Sequence, residues 1–239
     1  MKRLIVIPAY NEADTIVNLI EEIRETAGTA FDIAVVNDCS SDDTAEVCRQ
    51  QANVVLLDLP FNLGIGGAVQ TGYRYAWEQG YDIVVQVDAD GQHDPAYLAD
   101  LIAPLEQGFC DMSIGTRFLA GEGFQSTGIR RLGIRFFQYL IFFLMGQVIT
   151  DPTSGFRACN RQVIRLFSRD YPRDYPEPET NARLLRLGYR IREVSVKMRE
   201  RQGGASSIRL KQAVYYMVKV TLAIFIDRLR SWNRRDGEA

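Results

Sequence analysis

Hydrophobic positions along the first 117 residues switch repeatedly between two periods. Short apolar runs rich in β-branched residues stand at Leu4–Ile7, Ile33–Val36, Val54–Leu57, Ile83–Val87 and Met112–Gly115, and each predicts a buried strand. Between them, apolar residues recur at helical spacing. Ile16, Leu19, Ile20 and Ile23 share one face of a helix that Asn11 caps and Gly28 ends. A second helix starts near Ser41 and carries Ala45, Val47 and Cys48. A third runs from Gly66 to Gln79, and a fourth has Asp94 at its cap, Pro95 in its first turn and Gly108 at its end. Strands alternating with helices at this spacing predict an α/β fold: a mostly parallel sheet with helices on both faces. In such sheets the ligand lies outside the carboxyl ends of the strands.

After Arg117 the pattern changes. A glycine-rich loop (Gly121, Gly123, Gly128) leads into residues 132–149, which are rich in Phe and Leu but contain Arg135 and Gln138. A turn over Asp151–Phe156 follows, then a proline-rich stretch at Pro172–Pro178, a helix over Thr180–Leu187 and a strand over Tyr189–Val196. Residues 213–226 are apolar apart from Lys219. Neither apolar segment reaches the roughly 18–20 uninterrupted apolar residues that spanning a bilayer requires. Both are flanked by cations: Arg130, Arg131 and Arg135 at the first; Arg209, Lys211, Arg228 and Arg230 at the second. That arrangement suits interfacial amphipathic helices, with apolar faces in the acyl boundary and cations at anionic headgroups. It equally suits core helices or an interface between copies of the chain.

Composition sharpens this picture in one respect. The chain has 239 residues, 46% hydrophobic and 24% charged, enough to bury a core without disulfides. Its net charge of −2 hides an asymmetry. Residues 1–182 hold 14 Lys and Arg against 25 Asp and Glu, and residues 183–239 hold 14 against 5. A basic C-terminal part points to an anionic partner, either a membrane face or nucleic acid. Cys39, Cys48, Cys110 and Cys159 form no C-x-x-C pair and His93 is the sole histidine, which argues against zinc. With strand residues starting at Arg3, the expectation is a chain without a secretion signal and with reduced thiols.

Polar residues collect where the predicted strands end: Pro8-Ala9-Tyr10-Asn11-Glu12, Asn37-Asp38-Cys39-Ser40, Asp88-Ala89-Asp90-Gly91-Gln92-His93 and Thr116-Arg117. Four polar strand ends on one sheet edge define a site. Asp88 and Asp90 repel each other unless a cation neutralises them, and an oxygen-only set that Gln92 can complete favours Mg²⁺ or Mn²⁺. The plainer reading of Asp88-x-Asp90-Gly91 is a turn that leads into the next helix.

The runs IPAYNE, NDCSSDDT, NLGIGGAVQTG, VDADGQH, GTR and DPTSGFR occur in the order and spacing of family 2 inverting glycosyltransferases. The chain resembles the branch that makes polyprenyl-phosphate (dolichol-phosphate) sugars. The resemblance spans nearly the whole chain and implies the GT-A fold, a nucleotide-sugar-binding α/β sheet. It implies a catalytic domain over residues 1–205 with an interface helix inserted at 128–149, and a cationic-apolar helical tail over 206–239. Pro8, Ala9, Tyr10 and Glu12 resemble the first nucleotide-binding loop, and Asp38 the acid that bonds the base. Asn62, Gly64 and Gly66 resemble the glycine loop beside the nucleotide, where bare backbone approaches a ligand. Asp88, Ala89, Asp90 and Gln92 resemble the metal and donor-diphosphate motif. Asp151, Ser154 and Gly155 resemble the acceptor-side loop, and Arg201 the basic residue near the phosphates.

The chain departs from the family in places. Ile65 stands where a Lys is common, Asn37 where Asp is common, and Gly204-Ala205-Ser206-Ser207 lacks the Lys that often follows Gly-x-Ser. Arg117 and Arg209 are candidates to replace that cation, with Ser206 beside the substrate.

The reaction this implies is a single displacement at the anomeric carbon, with one sugar moved per event because no Q-x-x-R-W run is present. A saccharide hydroxyl acceptor needs a base, and Asp151 is the candidate, although Asp151 can equally serve turn geometry or orient Arg157. A lipid phosphate, with a second pKa of roughly 6, is already an oxyanion and needs none. Expected partners are a GDP- or UDP-linked sugar, a polyprenyl phosphate, the cytoplasmic membrane face with or without a small integral protein, and a second copy of the chain; nucleic acid is not expected.

Overall fold

A computed structural model describes residues 1–119, 128–200 and 210–229. Seven strands form one sheet in the order β3-β2-β1-β4-β6-β5-β7. They are β1 (Arg3–Ala9), β2 (Asp32–Asn37), β3 (Val54–Asp58), β4 (Ile83–Gln86), β5 (Met112–Thr116), β6 (Arg157–Asn160) and β7 (Ile191–Ser195). All neighbours are parallel except β6, which runs antiparallel to both β4 and β5. The parallel strands are covered on both faces, which is why β1, β2 and β4 read as continuous apolar runs rather than alternating ones.

Among the described residues, eight helices flank the sheet: α1 (Ala13–Ala27), α2 (Thr44–Arg49), α3 (Gly64–Glu78), α4 (Leu98–Glu106), α5 (Gly128–Met145), α6 (Arg161–Arg169), α7 (Pro176–Arg186) and α8 (Leu210–Leu229). On one face Ile5, Ile7 and Val85 pack with Ile16 and Ile20 of α1 and Leu101 of α4. On the other, Leu4, Val6 and Val84 pack with Val69 of α3, Phe137 of α5, Phe167 of α6, Leu184 of α7 and Ile224 of α8.

Several boundaries differ from the sequence reading. Asn11 does not cap α1; it takes a left-handed backbone (φ 56°) and accepts from the backbone N–H of Ser41. The first amide of α1, Ala13 N, donates instead to Asp42, whose other oxygen accepts from Thr44 N at the start of α2. Partial burial pushes the Asp42 carboxyl up, but bonds from Thr44 and Ala13 outweigh it and hold the group below 3.8. The expected fourth helix begins as a 3-10 turn over Pro95–Tyr97, with Asp94 accepting from Ala96 N. Strand β6 and helix α6, which Asn160 caps by accepting from Gln162 N and Val163 N, were not expected.

Helix α8 lies on the body. Its Tyr216 packs on Phe137 and Tyr175 at 5.1 and 4.3 Å between ring centroids, and Asp227 accepts from Arg186 of α7 at 2.7 and 2.9 Å. Among the described residues no helix is long and apolar enough to cross a membrane.

Candidate active site

The chain runs outward from β1 to β2 and β3, then returns to place β4 on the other side of β1. This is a topological switch point, and the crevice lies between the carboxyl ends of β1 and β4. Because β6 is antiparallel, its amino end shares that edge with the carboxyl ends of β1, β2, β4, β5 and β7. One sheet edge thus gathers Tyr10–Glu12, Asp38, Asp88–Gln92, Arg117 and the 151–155 loop.

At the carboxyl ends of β1 and β2, the two first loops are stitched together. Asn11 N donates to Ser40 Oγ and Glu12 N donates to Thr44 Oγ1. Pro8 and Ala9 are buried in β1, and Tyr10 stands 52% exposed at its end. Asp38 is buried, and its two oxygens accept from Leu63 N at 2.6 Å and Gly64 N at 2.9 Å. Its carboxylate thus serves the positive end of α3. Asn62 donates to the Asp38 carbonyl.

Gly64 has φ 79°, a backbone that favours glycine. At Gly66 the reason for glycine differs from the one expected. A Cβ there would lie 2.0 Å from the Pro172 carbonyl, and Gly66 N donates to Arg173 O at 3.0 Å. The bare side of Gly66 faces the chain's own backbone.

Beyond the carboxyl end of β4, Asp90 is buried and accepts from Gln92 N, closing a turn with Gly91 at φ 74°. Asp88 is half-buried, and its Oδ1 accepts from Gln86 Nε2 at 3.3 Å. Ala89 is buried between them. Gly155 makes room: a Cβ there would stand 2.8 and 3.1 Å from the two Asp88 oxygens. Gln92 is tied to the strand side by Arg199 N, which donates to its carbonyl. No set of three His, Cys, Asp or Glu side chains among the described residues is arranged to hold an ion alone. Two carboxylates and an amide oxygen are donor types suited to a Mg²⁺ or Mn²⁺ shared with a diphosphate, since such ions take one or two carboxylates plus substrate phosphates.

At the carboxyl end of β5, Arg117 and Asp151 form a buried ion pair, Nε to Oδ2 at 2.6 Å, with side chains 3% and 0% exposed. Arg117 Nη1 is buried with no hydrogen-bond partner among the described residues. A cavity of about 190 Å³ is lined by Phe118, the residue after Arg117, and by Arg131, Ile134, Arg135 and Gln138. Ser154 Oγ donates to Gly115 O, and the fully buried Arg157 donates twice to Ser154 O and once to Thr180.

Glu193 had no place in the sequence reading. It accepts from Thr150 N, Thr150 Oγ1 and Asp151 N, all within 3.0 Å, and so holds the loop that carries Asp151. Burial pushes its carboxyl up, and those bonds offset only part of the rise. The signal was available: strand alternation places residue 193 on the buried face of Ile191. Arg201 and Ser206, and the alternative cation Arg209, lie outside the described residues.

A doubly wound sheet with acids and helix amino termini gathered at its switch point has the architecture of the GT-A class of nucleotide-sugar-binding folds. The model of Glycosyl transferase family 2 matches residues 4–167. The chain belongs to that family and is a glycosyltransferase.

An undecaprenyl-phosphate mannosyltransferase of Micrococcus luteus is 31% identical over 87% of this chain and 88% of its own length. A polyprenol monophosphomannose synthase of Mycolicibacterium smegmatis is 27% identical over 96% and 90%. Among solved structures, glucosyl-3-phosphoglycerate synthase of Mycobacterium tuberculosis, crystallised with Mn²⁺, uridine diphosphate and phosphoglyceric acid, superposes with a TM-score of 0.71. It is 22% identical, over 95% of this chain and 78% of that one. At that identity the likeness shows the fold.

Proposed function

We propose that this enzyme moves one sugar from a nucleoside-diphosphate sugar to a polyprenyl phosphate, at the inner face of the cytoplasmic membrane. The observation that carries this reading is a cationic cavity near the end of β5. Arg131 and Arg135 line it together with Phe118, the residue after Arg117, and Gln138, which donates to the Thr150 carbonyl. Guanidinium groups suit phosphate oxygens because their planar fork donates two bonds at once. The two mannosyl-transferring relatives, named for undecaprenyl phosphate and polyprenol, support the same acceptor class.

In the reaction, a phosphate oxygen of the acceptor attacks the anomeric carbon as the bond from that carbon to the nucleoside diphosphate breaks. The acceptor is already anionic at neutral pH, since its second pKa is roughly 6, so no side chain need remove a proton. Asp151 is fully buried and spent on Arg117, which suits a residue that orients the phosphate-binding cation. The hydroxyl-acceptor reading needs Asp151 as an accessible base, and its burial weighs against that. Asp88 and Asp90, with Gln92, would hold Mg²⁺ or Mn²⁺, and the ion supplies positive charge to the departing diphosphate. Glu193 and Arg157 hold the acceptor loop in place, which is what a reaction limited by positioning requires.

Membrane association rests on α5 and α8. Phe142 and Phe143 on α5, and Leu222, Phe225 and Ile226 on α8, are exposed on the surface of a domain whose basic residues concentrate toward the C-terminal end.

The direct test is Asp90→Ala. The variant is expected to unfold at a temperature close to that of the parent chain and to lose transfer of labelled sugar to polyprenyl phosphate. Turnover retained at the parent level would remove the catalytic reading of the Asp88–Gln92 segment.

A further inference from the structure

Residues 170–175 join α6 to α7, and on the way they touch both the start of α3 and the inward side of α8. Tyr171 is buried, and its ring packs on Tyr73 of α3 and Phe167 of α6, with centroids 5.6 and 5.0 Å apart. The Pro172 and Arg173 carbonyls lie against the bare side of Gly66, and Arg173 O accepts from Gly66 N at 3.0 Å. Asp174 pairs with Lys219 of α8. The Tyr175 ring lies 4.3 Å from that of Tyr216, also on α8.

The backbone at Tyr175 is strained. It takes a left-handed conformation, φ 51° and ψ 58°, directly before Pro176. Bulky side chains rarely enter that region, and a following proline favours extended backbone instead. Such a conformation persists only where its surroundings impose it. The Asp174–Lys219 pair is exposed on both sides, and pairs of that kind hold little. The Tyr175 ring is the firmer hold, because Tyr216 also packs on the buried Phe137.

We propose that Tyr175 is a positioning residue for the sugar donor. Docked on Tyr216 of α8, it fixes the 172–173 backbone. That backbone in turn holds Gly66, while Asp38 holds the neighbouring amides of Leu63 and Gly64. Helix α8, which presents apolar residues outward, thus frames the start of α3 with its inward side. This rests on the reading of residues 62–66 as the loop beside the nucleotide.

The test titrates GDP and UDP into the full chain with Mg²⁺, by calorimetry, and measures KM for the nucleotide sugar and for polyprenyl phosphate. Tyr175→Gly removes the ring and takes the left-handed backbone without strain. It is expected to weaken nucleotide binding at least about 5-fold, the lower end of coupling between separate sites. KM for the nucleotide sugar is expected to rise by a similar factor, and KM for the lipid phosphate to stay nearly unchanged. Tyr175→Phe keeps the ring and is expected to bind nucleotide as the parent chain does. Tyr216→Ala, a change on α8, is expected to repeat the loss seen with Tyr175→Gly.

Nucleotide binding at the parent level by folded Tyr175→Gly or Tyr216→Ala overturns the proposal. A loss in Tyr175→Phe as large as that in Tyr175→Gly also overturns it, since the ring would then not be the hold. Should Tyr175→Gly fold poorly, Tyr216→Ala and Tyr175→Phe still decide. Gly66→Ala drives a Cβ into the Pro172 carbonyl and is expected to weaken nucleotide binding whatever holds residues 172–175. A folded Gly66→Ala chain that binds nucleotide at the parent level overturns the reading of the loop, and the proposal falls with it.

Discussion

At the scale of single residues, the site is built from charged groups with few alternatives open to them. Arg117 and Asp151 are both buried, and neither can be lost cheaply. Arg117→Ala leaves a buried carboxylate without its cation, and stability is expected to fall by about 3–5 kcal/mol, read from denaturant unfolding. Arg117→Lys keeps the charge but not the fork. It is expected to raise KM for the lipid phosphate while leaving KM for the nucleotide sugar nearly unchanged, as steady-state kinetics with each substrate varied will show.

Asp42 is different in kind, because it joins the first amides of α1 and α2 and so braces the nucleotide loops. Its folded pKa is lowered below 3.8, so its ionised form stabilises the fold. That contribution is complete above the unfolded value and is lost as pH falls through the folded one. Asp42→Ala is expected to cost about 0.5–2 kcal/mol near neutral pH. The gap in melting temperature from the parent chain is expected to narrow in acid below that range.

At the scale of elements, what the sequence could reveal depended on how many partners each element has. Strands β1, β2 and β4 are central and parallel, so their apolar runs identify them without reference to the rest of the chain. Strand β6 carries only Ala158 and Cys159 between Arg157 and Asn160, and a run with a buried cation looks like a loop. Arg157 is tolerable there because Ser154 O and Thr180 satisfy it, and those partners come together only in the fold.

The same limit applied at the site. The acids of the strand ends were legible as a set, but the pairing of Asp151 with Arg117 spans 34 residues and the grip of Glu193 on the 150–151 backbone spans more than 40. Helices α5 and α8 are apolar on more than one face, so periodicity alone could not choose the inward one. The structure turns Ile134, Phe137, Ile141 and Ile224 inward and leaves Phe143 84% exposed. Ile224→Ala is expected to destabilise the fold by about 2–5 kcal/mol through the cavity it opens. Phe143→Ser and Leu222→Ser are expected to leave unfolding nearly unchanged and to weaken sedimentation with anionic vesicles. Vesicle binding equal to that of the parent chain would remove α5 and α8 from the membrane reading.

At the scale of the whole molecule, the switch-point crevice and the exposed apolar helices belong to one body, since α5 reaches the acceptor loop through Gln138, which donates to the Thr150 carbonyl. Asp88, Asp90, Arg117 and Asp151 thus lie at one sheet edge, and the helix that lines the cationic cavity also carries exposed aromatic residues. This geometry suits the proposed acceptor, which has a charged head and a long hydrocarbon. The charge asymmetry of the chain fits the proposed arrangement, in which the acid-rich part would supply the donor site and the basic part would meet anionic surface.

The most direct measurement follows labelled sugar from GDP- and UDP-linked donors in a mixture that offers both polyprenyl phosphate and a free saccharide. The account predicts label in the organic phase as a mild-acid-labile polyprenyl-phosphate sugar, dependent on Asp90 and on a divalent cation. Label confined to an aqueous saccharide product would contradict it.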